Sequence, residues 1–193
     1  MVNYAPVILS MPTHLAMAVP NHSDRGRALV DLWSEHNIYC PNCSSPALKH
    51  VDSQIAGGFC CPDCEGRFRV TGQSTPFGKS VDAGEFDATT RALRNGRLSG
   101  CFFLHYDARS WTVRDLLLVP LFAIPEPAIA RRGSQCHIVL DQVPAEARIA
   151  MITTIKSASP GGTECIMISR AEEVREKFRR LKPRRGKRAH VAA

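Results

Sequence analysis

Long apolar runs are missing from this 193-residue chain, and nothing approaches the roughly 18 to 20 uninterrupted apolar residues that a membrane helix needs. A basic segment leading into an apolar one is missing at the N-terminus as well. The opening stretch, MVNYAPVILSMPTHLAMAVP, is apolar in tone, but Pro6, Pro12 and Pro20 interrupt it and no Lys or Arg precedes it. It does not read as a secretion signal. Residues 1–22 are therefore expected to be a partly disordered extension on a soluble, cytoplasmic protein. Repeats, a Gly-rich phosphate loop and a Ser/His/Asp arrangement are also lacking. The histidines at 14, 22, 36, 50, 105, 137 and 190 show no ligand-like pairing.

Acid is in short supply, with 18 Asp and Glu against 25 Lys and Arg and a formal net charge of +7. The excess has one location. Arg175 to Arg188, REKFRRLKPRRGKR, holds nine basic residues and one acid, Glu176, so this window carries +8 and the remainder sums to −1. The basicity thus reads as a C-terminal tail, with 181–193 its segment beyond the last helix. Such a tail suits phosphate contact, which is electrostatic and blind to sequence, or it is a solvated terminus.

Cysteine, by contrast, is plentiful. Eight thiols sit at 40, 43, 60, 61, 64, 101, 136 and 165. Without a secretion signal a disulfide framework is not expected. Cys40-x2-Cys43 and Cys61-x2-Cys64 match a four-cysteine zinc site, because two residues between thiols let a tight turn aim both sulfurs at one ion. Proline follows the first cysteine of each pair, in CPNC and CPDC, and helps to fix that turn. Four thiolates leave no open coordination position, so the expected Zn²⁺ is structural. Cys60 is expected in the core, and Cys101, Cys136 and Cys165 are expected to behave as small buried hydrophobes.

The remaining pattern is mixed. Ser23 or Asp24 caps a helix through about His36, burying Ala28, Leu29, Leu32 and Trp33. The zinc unit occupies 38–66. GRFRVTG follows as a strand, with Phe68 and Val70 on one face and Arg67, Arg69 and Thr71 on the other. QSTPFGKS reads as a loop, and Asp82 with Glu85 as a capping box for a helix to about Arg94. CFFLHY (101–106) and WTVRDLLLVP (111–120) form a hairpin about DARS. FAIPEPAIARRGSQ is a surface connection. Strands are expected at 137–140, 148–153 and 164–169, and Ser169 with Glu172 boxes a last helix that frays into the tail. The fold class is α/β, a mixed central sheet flanked by helices with an early zinc insertion.

In order along the chain, Trp33, YCPNC (39–43), FCCPDC (59–64), the strand at 67–71, CFFLHY, WTVRDLLLVP, ARR (130–132) and CHIVLDQVPAEARI (136–149) resemble the DpnI-like restriction endonucleases. The resemblance spans about residues 23–180. It implies a restriction-endonuclease-like PD-(D/E)xK core with a structural zinc, acting on DNA at adenine-methylated sites, and a winged-helix reader after the catalytic domain. The chain ends about where that reader would begin, with the basic tail in its place. The resemblance also puts an Asp three residues before the first cysteine of the second pair, and Glu-x-Lys on the following strand. Those positions hold Gly58, Arg69 and Thr71 here. A PD-(D/E)xK site needs its acids to hold Mg²⁺ and its lysine to position water. Gly58 offers no ligand, and Arg69 places a cation where a cation should bind.

Three functions remain open on these residues. The first is a catalytically inactive, nuclease-fold DNA-binding protein in a restriction, defence or regulatory setting. Its candidate phosphate contacts are Arg67, Arg69, Arg131, Arg132, Arg179, Arg180, Lys182, Arg184 and Arg185. The second is an active metal-dependent endonuclease whose acids have moved, with Asp63, Glu65, Glu85, Asp87 and Lys79 as candidates. The third is a protein–protein module that regulates a partner.

Overall fold

The computed structural model describes residues 7–19, 21–51, 58–96, 98–156 and 164–183. The first helix, α1 (His22–Asn37), presents Leu29, Val30 and Trp33 to the interior. Two short strands follow, β1 (Lys49–His50) and β2 (Gly58–Cys60), and then the longer β3 (Arg67–Gln73). β4 (Ser80–Glu85) leads into α2 (Phe86–Arg94). β5 (Gly100–Asp107) and β6 (Thr112–Pro120) make the expected hairpin, paired from Gly100↔Pro120 to Asp107↔Thr112. β7 (Ile129–Arg132), β8 (Gln135–Val139), β9 (Ile149–Lys156), β10 (Glu164–Ile168) and α3 (Ala171–Leu181) complete the order.

These strands build a mixed seven-stranded sheet, β1-β2-β3-β5-β6-β9-β10, and a three-stranded sheet, β4-β8-β7. The β3–β5 pair is parallel, as a crossover carrying α2 requires, and the other pairs are antiparallel. Both faces of the large sheet are covered, so β5 is apolar at successive positions instead of alternating. Phe102 and Leu104 join α1, α3 and the cysteine knuckle in one core, whereas Cys101 and Phe103 join α2 and the small sheet in a second. α1 lies close on β3 because Gly72 has no side chain. A Cβ there would sit 2.4 Å from Val30 Cγ2.

Several expectations change. Residues 7–19 are docked, not a free extension: Met11 N–H donates to Trp111 O at 2.8 Å, Val113 N–H to Leu9 O at 2.9 Å and Trp33 Nε1 to Ile8 O at 2.6 Å. The ARR block is strand β7, paired from Ile129↔Ile138 to Arg132↔Gln135, and not a surface connection. Asp82 belongs to β4, and Glu85 itself caps α2, accepting from the backbone N–H groups of Asp87 and Ala88. The Ser169–Glu172 box does not form. Ser169 Oγ donates to Ala150 O instead, and α3 starts without a side-chain cap. Cys101 and Cys136 are buried as expected, but Cys60 is only half-buried and Cys165 is exposed on the edge strand β10. Among the described residues, no helix is long and apolar enough to cross a membrane.

Candidate functional site

The knuckle grows from two turns that face each other across the end of the β2–β3 hairpin. Cys40 N–H donates to Ser45 O in the first turn. In the second, Glu65 N–H donates to Cys61 O and Cys61 N–H to Gly66 O. Glu65 reaches this geometry with φ at 57°. All four sulfurs of Cys40, Cys43, Cys61 and Cys64 lie within 4.8 Å of one another. Cys40 Sγ is 3.7 Å from Cys64 Sγ, and Cys43 Sγ is 3.5 Å from Cys61 Sγ. A tetrahedral ion with Zn–S near 2.3 Å spaces its sulfurs roughly 3.8 Å apart, so the donor set fits one ion such as zinc.

The surroundings favour thiolates. Asn42 N–H donates to Cys40 Sγ at 3.3 Å, Ser45 N–H to Cys43 Sγ at 3.5 Å and Asn42 Nδ2 to Cys64 Sγ at 3.2 Å. Burial pushes the Cys40 thiol up, which is the desolvation cost that a bound cation removes. At Cys61 burial acts in the same direction, but hydrogen bonds from the backbone N–H groups of Cys64 and Asp63 and from the Cys43 and Ser45 side chains together outweigh it and lower the thiol to about 7. Cys60 takes no part. Its Sγ points to Cys61 O at 3.6 Å.

The positions that the resemblance assigns to catalysis meet further along the same hairpin. Gly58 and Arg69 are direct partners across β2 and β3, so side chains there would share one face. At this position the face is not solvent-exposed. β4 and α2 cover it, and Arg69 is only 3% exposed, which corrects the expectation of an open strand face. Its Nη1 donates to Ala83 O and to Thr89 Oγ1. No carboxylate lies within ion-pairing distance of Arg69 among the described residues, and its Nε is buried without a partner. The nearby thiols stay neutral. Burial raises Cys101 to about 12 and Cys136 to about 11, although Arg69 pulls both down. Gly84, with φ at +91°, makes room for the guanidinium: a Cβ there would stand 2.6 Å from Nη1. Thr71 Oγ1 donates to Asp82 O at 2.9 Å, so this position too is tied to β4.

Beside Arg69 a cleft of about 600 Å³ opens between α1, β3 and β4. Three carboxylates line it, Asp31, Asp82 and Glu85, with Gln73, Gln135 and Arg27. Of the proposed displaced acids only Glu85 is among them. Both Glu85 oxygens are taken, Oε1 by Asp87 N–H at 3.0 Å and Oε2 by Ala88 N–H at 2.6 Å, and these donors hold its carboxyl below the usual range. Asp82 Oδ1 accepts from Gly84 N–H at 2.6 Å. Asp31 pairs with His50 at 3.8 Å, and burial pushes its carboxyl up more than His50 and Arg27 bring it down. Among the described residues, the four cysteines are the one group placed to hold a metal.

The basic candidates divide by place. Arg67 is exposed in a groove shared with Asn42, Cys64 and Glu65. Arg132 is exposed on β7, and its strand partner Gln135 also pairs with Glu85 of the cleft. Arg131 lies over the Phe86 ring at 4.9 Å and approaches Asp87 at 4.0 Å. Arg179 and Arg180 both pair with Glu176. Lys182 Nζ donates to Asn42 Oδ1. Arg184 and Arg185 lie outside the described residues. The basic window is not all tail, since it begins inside α3, where Phe178 is buried and Arg175 bonds the knuckle backbone.

The DpnI family model, described as the Dam-replacing family, matches residues 7–162. This chain belongs to that family. The matched span contains the knuckle, the cleft, the small sheet and the large sheet as far as β9, and stops before β10 and α3. Family membership gives the chain a restriction-endonuclease-like, DNA-related function in coarse terms.

Sequence reasoning missed three things here: Asn42 and Arg175 as partners of the knuckle, the carboxylates of Asp31 and Asp82 in the cleft, and the burial of Arg69. Asn42 carried a signal, because it sits between two metal-type cysteines. Arg175 carried none, since 135 positions separate it from Cys40.

Proposed function

We propose that this protein binds DNA through a nuclease-type fold and does not cut it. The observation that carries the reading is the Arg69 guanidinium, buried at the position where the family pattern calls for a metal-binding acid. A divalent cation beside it would meet a fixed positive charge in a medium that screens poorly. The partner position, Gly58, has no side-chain ligand, its carbonyl accepts from Val51 N–H, and Thr71 is engaged with β4. The knuckle keeps all four thiols, and its Zn²⁺ would brace the hairpin without an open coordination site.

DNA contact in this reading is made to phosphates, by Arg67, Arg131 and Arg132 on the body and by Arg179, Arg180, Lys182, Arg184 and Arg185 at the C-terminal end. Arg69 drops out of that set because it is enclosed. The Glu176 pairs reduce the field of Arg179 and Arg180, so the residues beyond α3 supply most of the affinity. A polarisation titration of methylated and unmethylated duplexes across a salt series tests this. A chain ending at Pro183 keeps Phe178 and is expected to bind more weakly, with a flatter salt slope, at roughly 0.9 per lost phosphate contact. Equal affinity and equal slope would contradict the assignment.

One observation favours a second reading. Asp31, Asp82 and Glu85 share the cleft, and an endonuclease with displaced acids would draw on them. Nicking that needs a divalent metal and is lost in Asp82→Ala would establish it. Salt-insensitive behaviour with no duplex binding would point instead to a protein–protein module.

A further inference from the structure

The knuckle and the last helix are far apart in sequence yet joined by four contacts. Arg175 Nε donates to Cys40 O at 3.0 Å and its Nη2 to Ser45 O at 3.0 Å. Both carbonyls belong to the turn that aims Cys40 and Cys43. The guanidinium also lies over the Tyr39 ring at 5.1 Å. Asn42 makes the fourth contact as a two-sided bridge: its Nδ2 donates to Cys64 Sγ while its Oδ1 accepts from Lys182 Nζ. The Cys64 sulfur is thereby one side chain away from Lys182, the residue at the C-terminal end of α3. Arg175, Arg179 and Lys182 line one groove with Asn42 and Glu172, and Arg67 lines another with Glu65 that also reaches Asn42.

We propose that Arg175 and Asn42 make α3 part of the outer shell of the metal knuckle, so that the knuckle and α3 form one phosphate-binding face for duplex DNA. The proposal rests on the DNA-binding reading and adds a coupling to it. Outer-shell donors orient ligands and tune metal affinity, typically by 10–100-fold. If the loaded knuckle fixes the turn whose carbonyls hold Arg175, metal holds α3 in place. By reciprocity a duplex seated on α3 must then hold the metal more tightly. The fit is to a polyanion because the two grooves that meet at Asn42 carry four cations, Arg67, Arg175, Arg179 and Lys182, against two acids, Glu65 and Glu172, and phosphate contact is electrostatic.

The test follows zinc transfer from the loaded full-length protein to a chromogenic chelator, with and without an unmethylated duplex. Arg175→Met is expected to release zinc about 10–100-fold faster than wild type without DNA, with Asn42→Ala showing a smaller acceleration. Lys177→Ala, exposed on the same helix, is expected to match wild type. Duplex slows release from wild type and leaves Arg175→Met unchanged. Equal release from wild type, Arg175→Met and Asn42→Ala overturns the proposal, as does equal protection of all of them by duplex. Should Arg175→Met fail to fold, Asn42→Ala decides alone. If wild type binds no duplex by polarisation, the DNA-binding reading fails and the phosphate face with it. That failure is distinguishable, because the zinc-release differences measured without DNA then still stand.

Discussion

Cys61 and Cys64 close the metal knuckle at one end of the β2–β3 hairpin, and Gly58 and Arg69 face each other further along the same two strands. At the knuckle every donor is in place, with matched sulfur spacings and N–H groups turned to the thiols. At the paired strand positions, one candidate ligand is absent and the other is a buried cation. The difference separates two roles that a nuclease hairpin combines. A closed four-thiolate site contributes folding free energy whether or not the neighbouring chemistry survives. Acids gathered to hold a catalytic metal repel one another when the metal is absent, and so are not needed to hold the fold. A chain of this family can therefore lose the second set and keep its fold, but not the first.

The largest effect belongs to the knuckle. Cys61→Ser is expected to leave little folded protein, because structural zinc in small sites supplies roughly 10–16 kcal/mol against a net stability of about 5–15. Circular dichroism and zinc content checked together would read this. A fully folded, zinc-free variant would break the comparison. Next come changes around Arg69. Gly84→Ala is expected to destabilise by about 1–3 kcal/mol, since it strains a φ of +91° and crowds the guanidinium. Arg69→Met is expected to be neutral or stabilising in a denaturant titration, because it removes a buried charge that has no carboxylate partner. Ala83 O keeps a donor in that variant, from Thr89 Oγ1 at 3.0 Å. A loss of several kcal/mol would mean that Arg69 holds the two sheets together.

How much of this was legible in the sequence depends on the range of the forces involved. The knuckle was legible because its ligands come in local pairs with fixed spacing. The β5–β6 hairpin was legible because two strand-forming apolar runs and the short turn between them are local too. The alternation of β3 was also read correctly, with Phe68 and Val70 on one face and Arg69 and Thr71 on the other. What could not be read was that β4 covers the second face. SVDAGE carries Asp, Gly and Glu, poor strand formers, and becomes a strand by pairing with β8, more than 50 residues away. The same limit hid the docking of residues 7–19 on Trp33 and Trp111, and the reach of Arg175 to the knuckle.

A smaller effect sharpens the view of the surface. Arg67→Ala is exposed and is expected to change stability by less than about 0.5 kcal/mol. If the knuckle face touches phosphates, it lowers duplex affinity uniformly across sequences and reduces the salt slope by roughly 0.9. No change in polarisation titrations would confine DNA contact to the C-terminal end.

The most direct measurement reads binding and cutting on one substrate. Supercoiled, adenine-methylated plasmid is incubated with the zinc-loaded protein and Mg²⁺ or Mn²⁺, and run on an agarose gel before and after the protein is stripped away. The account predicts a retarded band that returns to the supercoiled position on stripping, with both metals. Nicked or linear plasmid that accumulates with time, depends on the divalent metal and disappears in Glu85→Ala or Asp82→Ala would contradict it.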